Sequence, residues 1–550
     1  MAIWKTFLQS VFCESPRRFR WEGVLFVILI ALGLHLQYSH LGFNPTDEGY
    51  LLSGSRRLLD GEVPHRDFIS LRPIGTHLFH AHLLLWAGDH LILWSRFFVC
   101  LQFAAIGWFW VRIAEHFFEP LPSPWVRWSV GLIGMMFAAH VFPLMPWNSI
   151  DGVFFISLGV FLRSLAPARF QWLGLAVIGM APLFRQNFIF TLPLAVIILG
   201  DQRKLCRWMA VLFPGVAYGL ALIALGALPD ALIQMGSHSS SLAGAVLPSP
   251  GVSRQSLVAG MLAGTLAFAL MRLGRNLLTR RSGLVILILG FVFSMHCVFC
   301  HAGGRSWLAF GLLLAAIPFY ARAPQACRGF LLPILLAWSV SISEGWHLPT
   351  LGAAGLAAAF FASLWMRNAR CRTGMSFSSG SGLMAVILCI TLGGFHWART
   401  HRIYCDAPAE DLRCSLTGVF RGAGGIYTNQ TTHDYLVDLR EVIRWSQGRK
   451  ASAIAVLPET AQYWVSSSQR NPLSSDWPID AELSIPGLRD RLFHEIEGAR
   501  NHTLFLVQKY QAEHLCRRLE PYRDGTCRTR DLVRGSFKKV YESNFFEVYE

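Results

Sequence analysis

Apolar runs near bilayer length recur along the chain from Trp21 to about Trp397, and short polar or basic stretches separate them. A helix needs about 20 mostly apolar residues to cross a hydrocarbon core. The runs predict about thirteen such helices, near residues 22–40, 91–111, 128–145, 152–166, 170–184, 188–200, 208–227, 255–271, 283–300, 306–320, 329–343, 349–366 and 383–398. Beyond them the pattern changes. Tyr435 to Gln447 places Leu436, Leu439, Val442, Ile443 and Trp445 at helical spacing. Ser452–Leu457 and Thr503–Val507 read as buried strands. Lys538–Tyr541 and Phe545–Tyr549, separated by Glu542–Asn544, read as a closing hairpin. The expected fold is a polytopic α-helical membrane protein with a C-terminal extracytoplasmic α/β domain. Residues 1–398 form the membrane part, with a first outside loop at about 41–90, and 399–550 form the tail domain. Arg372 to Gly382, rich in Ser and Gly, reads as a flexible loop, and no internal repeat is visible.

Composition agrees with a membrane class. Of 550 residues, 53% are hydrophobic and 15% charged, against roughly 25% charged in ordinary soluble domains. The mean hydropathy is +0.39. No small-residue cleavage site follows the first apolar run, Gly23 to Leu36, so it reads as a retained helix. The net charge of +15 invites a nucleic-acid reading, but Lys and Arg mostly punctuate apolar runs, as membrane topology requires. With a cytoplasmic N-terminus, the inside loops hold about 20 Lys and Arg and the outside loops about 7. An odd span count then puts the tail outside, in a bacterial inner membrane. Cys405, Cys414, Cys516 and Cys527 fall in that tail, where disulfides persist, and pair by proximity as Cys405–Cys414 and Cys516–Cys527. Sequons stand at Asn429 and Asn501.

The first outside loop is the richest in ionisable residues. Asp47 and Glu48 follow the first span directly. Acids this close to a membrane are costly unless paired or hydrated, which makes them functional candidates. They also suit the N-terminus of a helix, a purely structural use. Tyr50 to Leu59 can form an amphipathic helix lying on the bilayer, with Arg56 and Arg57 on its polar side. A turn-rich stretch with His65, Arg66 and Asp67 follows, then a second interfacial segment, Pro73 to Ala87. His77, His80 and His82 lie close together, and with Asp47 or His65 they offer a divalent-metal site; polar His on an interfacial helix is the plainer reading.

DEGYLLSGSRRLLDGEVPHRDF, followed by RPIGTHLFHAHLLLWAGDHLILWSR, resembles the first periplasmic loop of the GT-C glycosyltransferase superfamily, in particular bacterial relatives of protein O-mannosyltransferases and the lipid A aminoarabinose transferase. The shared features are an acidic pair after span one, a Gly-x-x-Pro turn, and a Pro-containing segment before the next apolar helix. The likeness extends to the span pattern, and LPETAQYWVSSSQRNP in the tail looks like segments of bacterial members. The resemblance implies transfer of a sugar from a polyprenyl-phosphate donor to a glycan, lipid or protein acceptor. Such a reaction needs a carboxylate to take the acceptor's proton and cations for the departing phosphate. By resemblance Asp47 is the base and Glu48 orients it or the acceptor. Arg72 stands where several relatives carry Lys before two prolines, although here only one proline follows. It can clamp a phosphate or anchor to headgroups. Arg185, in the outside Arg185-Gln186-Asn187 turn, can contact the same phosphate or sit at the interface. His301 and Arg305, around two glycines, form a third donor-phosphate candidate or a plain turn. Asp151 stands where some relatives place an acid for acceptor or metal; an Asp that caps a helix is the plainer reading. With His65 and Asp67 it is a secondary or acceptor candidate. No cofactor is required, membrane lipids are partners and nucleic acid is not. Tyr463 and Trp464 in the tail can grip a sugar or belong to its core.

Two other classes compete. O-antigen ligases and polymerases use polyprenyl-diphosphate glycans, but usually carry their key Arg and His in a large late loop, and the late loops here are short. Transporters place ionisable groups mid-span and show repeat symmetry, which this chain lacks.

Overall fold

The computed structural model describes residues 18–236, 251–274, 276–300, 303–344, 349–371, 377–449, 453–500, 502–512, 515–516 and 518–550. Each expected apolar run is helical. Among the described residues, eight helices are long and apolar enough to cross a membrane, from Trp21–Tyr38 to Ser381–His401. The remaining runs form shorter helices, among them Gln186–Ile198, Gly304–Tyr320 and Pro349–Trp365. Proline shortens some: Pro182 lies in the 3-10 turn that closes the Gln171–Met180 helix. The start of the last long helix, Phe377 onward, takes up part of the expected Ser/Gly loop.

The helices share one apolar core that includes Phe103, Trp110, Phe310 and Phe330. Small residues let backbones meet. A Cβ on Gly159 or on Gly174 would lie 2.6 Å from the other's carbonyl oxygen, so these two helices touch where only glycine fits. Leu205–Ala224 instead exposes Leu212, Phe213, Val216 and Leu220. Such a face is stable only against lipid or another apolar surface.

The C-terminal region holds two sheets. β1 (Cys414–Ser415) pairs antiparallel with β2 (Tyr427–Thr428). β3 (Ala453–Leu457), β4 (Thr503–Gln508), β5 (Lys539–Glu542) and β6 (Phe546–Tyr549) form a four-stranded sheet in the order β3-β4-β6-β5. β3 and β4 run parallel, with Ala453 opposite Thr503, while β6 is antiparallel to β4 and β5. Alternation puts Ile454 and Val456 on one face and Ala455 and Leu457 on the other. The first face packs on Tyr435, Leu439 and Val442 of helix Gln430–Gln447. The second packs on Leu488, Leu492 and Ile496 of helix Pro486–Gly498. Both cores take in the first loop: Phe43 joins one, together with Ile92 at the start of helix Leu91–Phe117, and Ile69 and Leu71 join the other.

Packing in and around the tail bears on three expectations. Helix Asp47–Leu59 does not lie on a bilayer surface; Leu51, Leu52, Ser53, Ser55 and Arg57 are all buried under neighbouring protein. Arg57 is held by Asp476 at 2.7 Å and by Glu62 at 2.7 Å. Burial pushes the Asp476 carboxyl up, but the Arg57 charge and its hydrogen bonds outweigh this and hold it below the ordinary carboxylate range. Trp464 is core, and Tyr463 only half-buried. Cys414 and Cys527 are free thiols, so neither Cys405–Cys414 nor Cys516–Cys527 is formed. Cys414 lies on β1 with its thiol on Gln430, Cys527 is buried beside the Thr529 hydroxyl, and Cys405 and Cys516 instead line one common cavity. The Asn429 sequon caps helix Gln430–Gln447, its side chain buried against Asp406 and Thr432. Asn501 lies outside the described residues.

Candidate active site

Asp47 opens helix Asp47–Leu59, and its carboxylate is 8% exposed. Its Oδ2 accepts a hydrogen bond from the Tyr404 hydroxyl at 2.8 Å and from the Asn44 amide at 3.3 Å. Asn44 is fixed in turn, because its Oδ1 accepts from the backbone N–H and hydroxyl of Thr46.

Asn44 and Tyr404 line a cavity of about 560 Å³ between the first span, the segment 140–145, and the end of the last helix. Arg96, Arg399 and Arg402 line it too. These three cations are not equivalent. Arg96 spends all five donors: on both oxygens of Glu48 at 2.9 and 2.8 Å, and on the carbonyls of Ser39, Leu41 and Gly42. Arg402 donates to the Phe299 carbonyl and stacks on Trp397. Arg399 has its Nε and Nη2 shielded from solvent, and among the described residues no group accepts from them; its guanidinium packs 5.4 Å from the centre of the Phe395 ring. Guanidinium nitrogens shielded from water without an acceptor carry a desolvation cost.

The other expected residues lie elsewhere. Glu48 is fully buried and paired with Arg96, turned away from Asp47. Arg72 reaches Glu482 at 3.4 Å and sits over the Tyr50 ring. Arg185 donates to the Ser149 hydroxyl at 2.7 Å. Asp151 is fully buried and accepts from His80 at 3.1 Å and Gln102 at 2.7 Å, so it neither caps its helix nor faces a cavity. His65 is buried, in a left-handed conformation, between Gln234 and the Tyr218 hydroxyl. Burial pushes its pKa below the ordinary range against the Gln234 hydrogen bond. Asp67 pairs with Arg66 and accepts from the Val63 N–H. Arg305 is exposed, and His301 lies outside the described residues. His77 donates to the Leu51 carbonyl, His80 is on Asp151 and His82 on the Phe79 carbonyl, and no three-ligand metal group exists among the described residues. None of these residues lines the cavity, and Asp47 itself meets its lining only through Asn44 and Tyr404.

No protein-family model and no curated protein matches this chain.

The residues that sequence reasoning missed are Asn44, Arg96, Arg399 and Tyr404. Arg399 left a signal. Arg399, His401 and Arg402 cluster at the end of the chain's membrane part that the charge count assigns to the outside, against the positive-inside tendency. Tyr404 left none.

Proposed function

We propose that this chain is a membrane glycosyltransferase of GT-C type that moves a sugar from a polyprenyl-phosphate donor to an acceptor outside the inner membrane. One observation carries the reading: a single cavity at the end of the membrane helices holds both the hydrogen-bonding partners of Asp47 and an Arg399 guanidinium whose Nε and Nη2 have no acceptor among the described residues. A lipid phosphate supplies that acceptor. In the reaction the acceptor oxygen attacks the anomeric carbon as the bond from that carbon to the phosphate oxygen breaks. Asp47 takes the acceptor proton, Arg399 stabilises the negative charge gained by the departing polyprenyl phosphate, and the configuration inverts. Asn44 and Tyr404 hold the Asp47 carboxylate in place. Thirteen crossings, with the N-terminus cytoplasmic, put the cavity and the tail on the outer side. No cofactor takes part in this reading.

The test is release of free polyprenyl phosphate by the protein in liposomes, given a panel of polyprenyl-phosphate sugars and a crude envelope acceptor. Release from one donor is expected, falling about 10²–10⁴-fold in Asp47→Asn and strongly in Arg399→Gln. Equal turnover in Asp47→Asn removes the base assignment. Turnover of a diphosphate-linked glycan alone replaces this reading with a ligase or polymerase.

A further inference from the structure

A second concavity, of about 530 Å³, opens between the sheet region and the start of the second long span. One face of helix Gln430–Gln447 forms its floor and carries Arg440 and Arg444; Arg421 projects from the loop after β1. Asp89 is the one acid in the lining, against these three arginines. Arg440 is pinned on the Gly418 carbonyl at 2.8 Å and Arg421 on the Ser466 carbonyl at 3.4 Å. Among the described residues none of the three arginines makes an ion pair with a carboxylate. Arg440 and Arg444 stand four residues apart, about 6 Å along the helix, where like charges repel and cost stability. A bound anion reverses that cost. The walls are aromatic: Phe420 and Tyr463 are both half-buried and both line the groove.

The groove also touches the catalytic helix. Tyr463 lies on the short helix Ala461–Ser466, whose Gln462 backbone N–H donates to the Pro45 carbonyl at 3.2 Å. A Cβ on Gly49, two residues after Asp47, would collide with that same Gln462 backbone. One wall of the groove is therefore clamped to the segment carrying Asp47.

We propose that this groove binds an anionic saccharide, one bearing uronate or phosphate groups. Guanidinium groups fixed by backbone carbonyls take the charges bidentately, and the aromatic walls take the apolar faces of sugar rings. A planar lipid headgroup layer does not enter such a concavity, whereas a chain of rings does. Resting on the transferase reading, the bound saccharide is the acceptor, held beside the helix of Asp47.

The experiment uses the full chain in nanodiscs of zwitterionic lipid, titrated with a galacturonate hexamer and with the neutral maltohexaose. Saturable binding of the uronate, not of the neutral sugar, is expected. The double variant R440Q/R444Q should weaken it about tenfold or more, and Tyr463→Ala should weaken it independently. If the double variant fails to fold, Arg444→Glu, on an exposed side chain, serves instead. Binding unchanged in the arginine variants, equal binding of the neutral sugar, or binding only where anionic lipid is added overturns the proposal. Uronate binding by a protein that releases no polyprenyl phosphate keeps the groove and removes the transferase; release without uronate binding does the reverse.

Discussion

Asp47 and Glu48 are neighbours in sequence with opposite fates. Successive helical residues point about 100° apart, so one carboxylate meets Tyr404 at the cavity while the other turns inward to Arg96. Asp47→Asn is expected to keep the thermal stability and lose turnover. Glu48→Gln is expected to lose about 3–5 kcal/mol of stability, because it strands a buried Arg96. Thermal unfolding beside the release assay separates them, and a stable, inactive Glu48→Gln would contradict the assignment. His77 and His65 give the pH dependence of the first loop. Burial, helped by the Arg72 charge and opposed by the bond to the Leu51 carbonyl, pushes His77 down to about 4. Its folded pKa lies below the ordinary 6.5, so unfolding takes up a proton between these values. Stability is full above pH 6.5 and drains as pH falls toward 4, by roughly 3 kcal/mol for this residue. His65 acts in the same direction. Unfolding followed between pH 7.5 and 5 should show this slope, flattened in His77→Gln; equal slopes would rule it out.

Helix Asp47–Leu59 has the pattern of a surface helix and the environment of a core one. Its alternation of apolar and polar positions was legible, but its cover comes from Gln462, Leu473 and Asp476, more than 400 residues downstream. Gly49 makes the closest approach. Gly49→Ala should cost about 1–3 kcal/mol by overpacking, loosen the 461–466 segment and lower turnover with Asp47 intact. Limited proteolysis of that segment reads the effect directly, and an unchanged cleavage rate counts against the clamp. The strands, by contrast, were legible nearly to the residue. β3, β4 and the β5–β6 hairpin fall close to where the runs put them; β3, β4 and β6 are buried on both faces, which needs an apolar run whatever covers it, while β5 is the partly exposed edge.

The charge pattern gives an expected orientation for the whole molecule. Cys206 is exposed at the start of the helix Leu205–Ala224 and is expected inside, while an exposed tail position such as Ser468 is expected outside. In a background otherwise free of reactive cysteine, a membrane-impermeant thiol reagent on spheroplasts should label Ser468→Cys and spare Cys206 until the membrane is opened. The opposite order would invert the topology and place the cavity on the wrong side for this chemistry. The sequence alone determined the membrane class, the positions of the apolar helices and the strands of the C-terminal sheet. Those follow from local composition and periodicity, which any tertiary context must satisfy. Only the tertiary structure decided which ionisable residues are spent and which are free to act. Tyr404 reaches Asp47 across 357 residues, Arg96 consumes Glu48, and His80 consumes Asp151. Arg399 is marked out because, among the described residues, nothing accepts from its Nε and Nη2. A side chain's chemistry depends on what neutralises it, and that is settled by contacts between segments that local pattern does not encode.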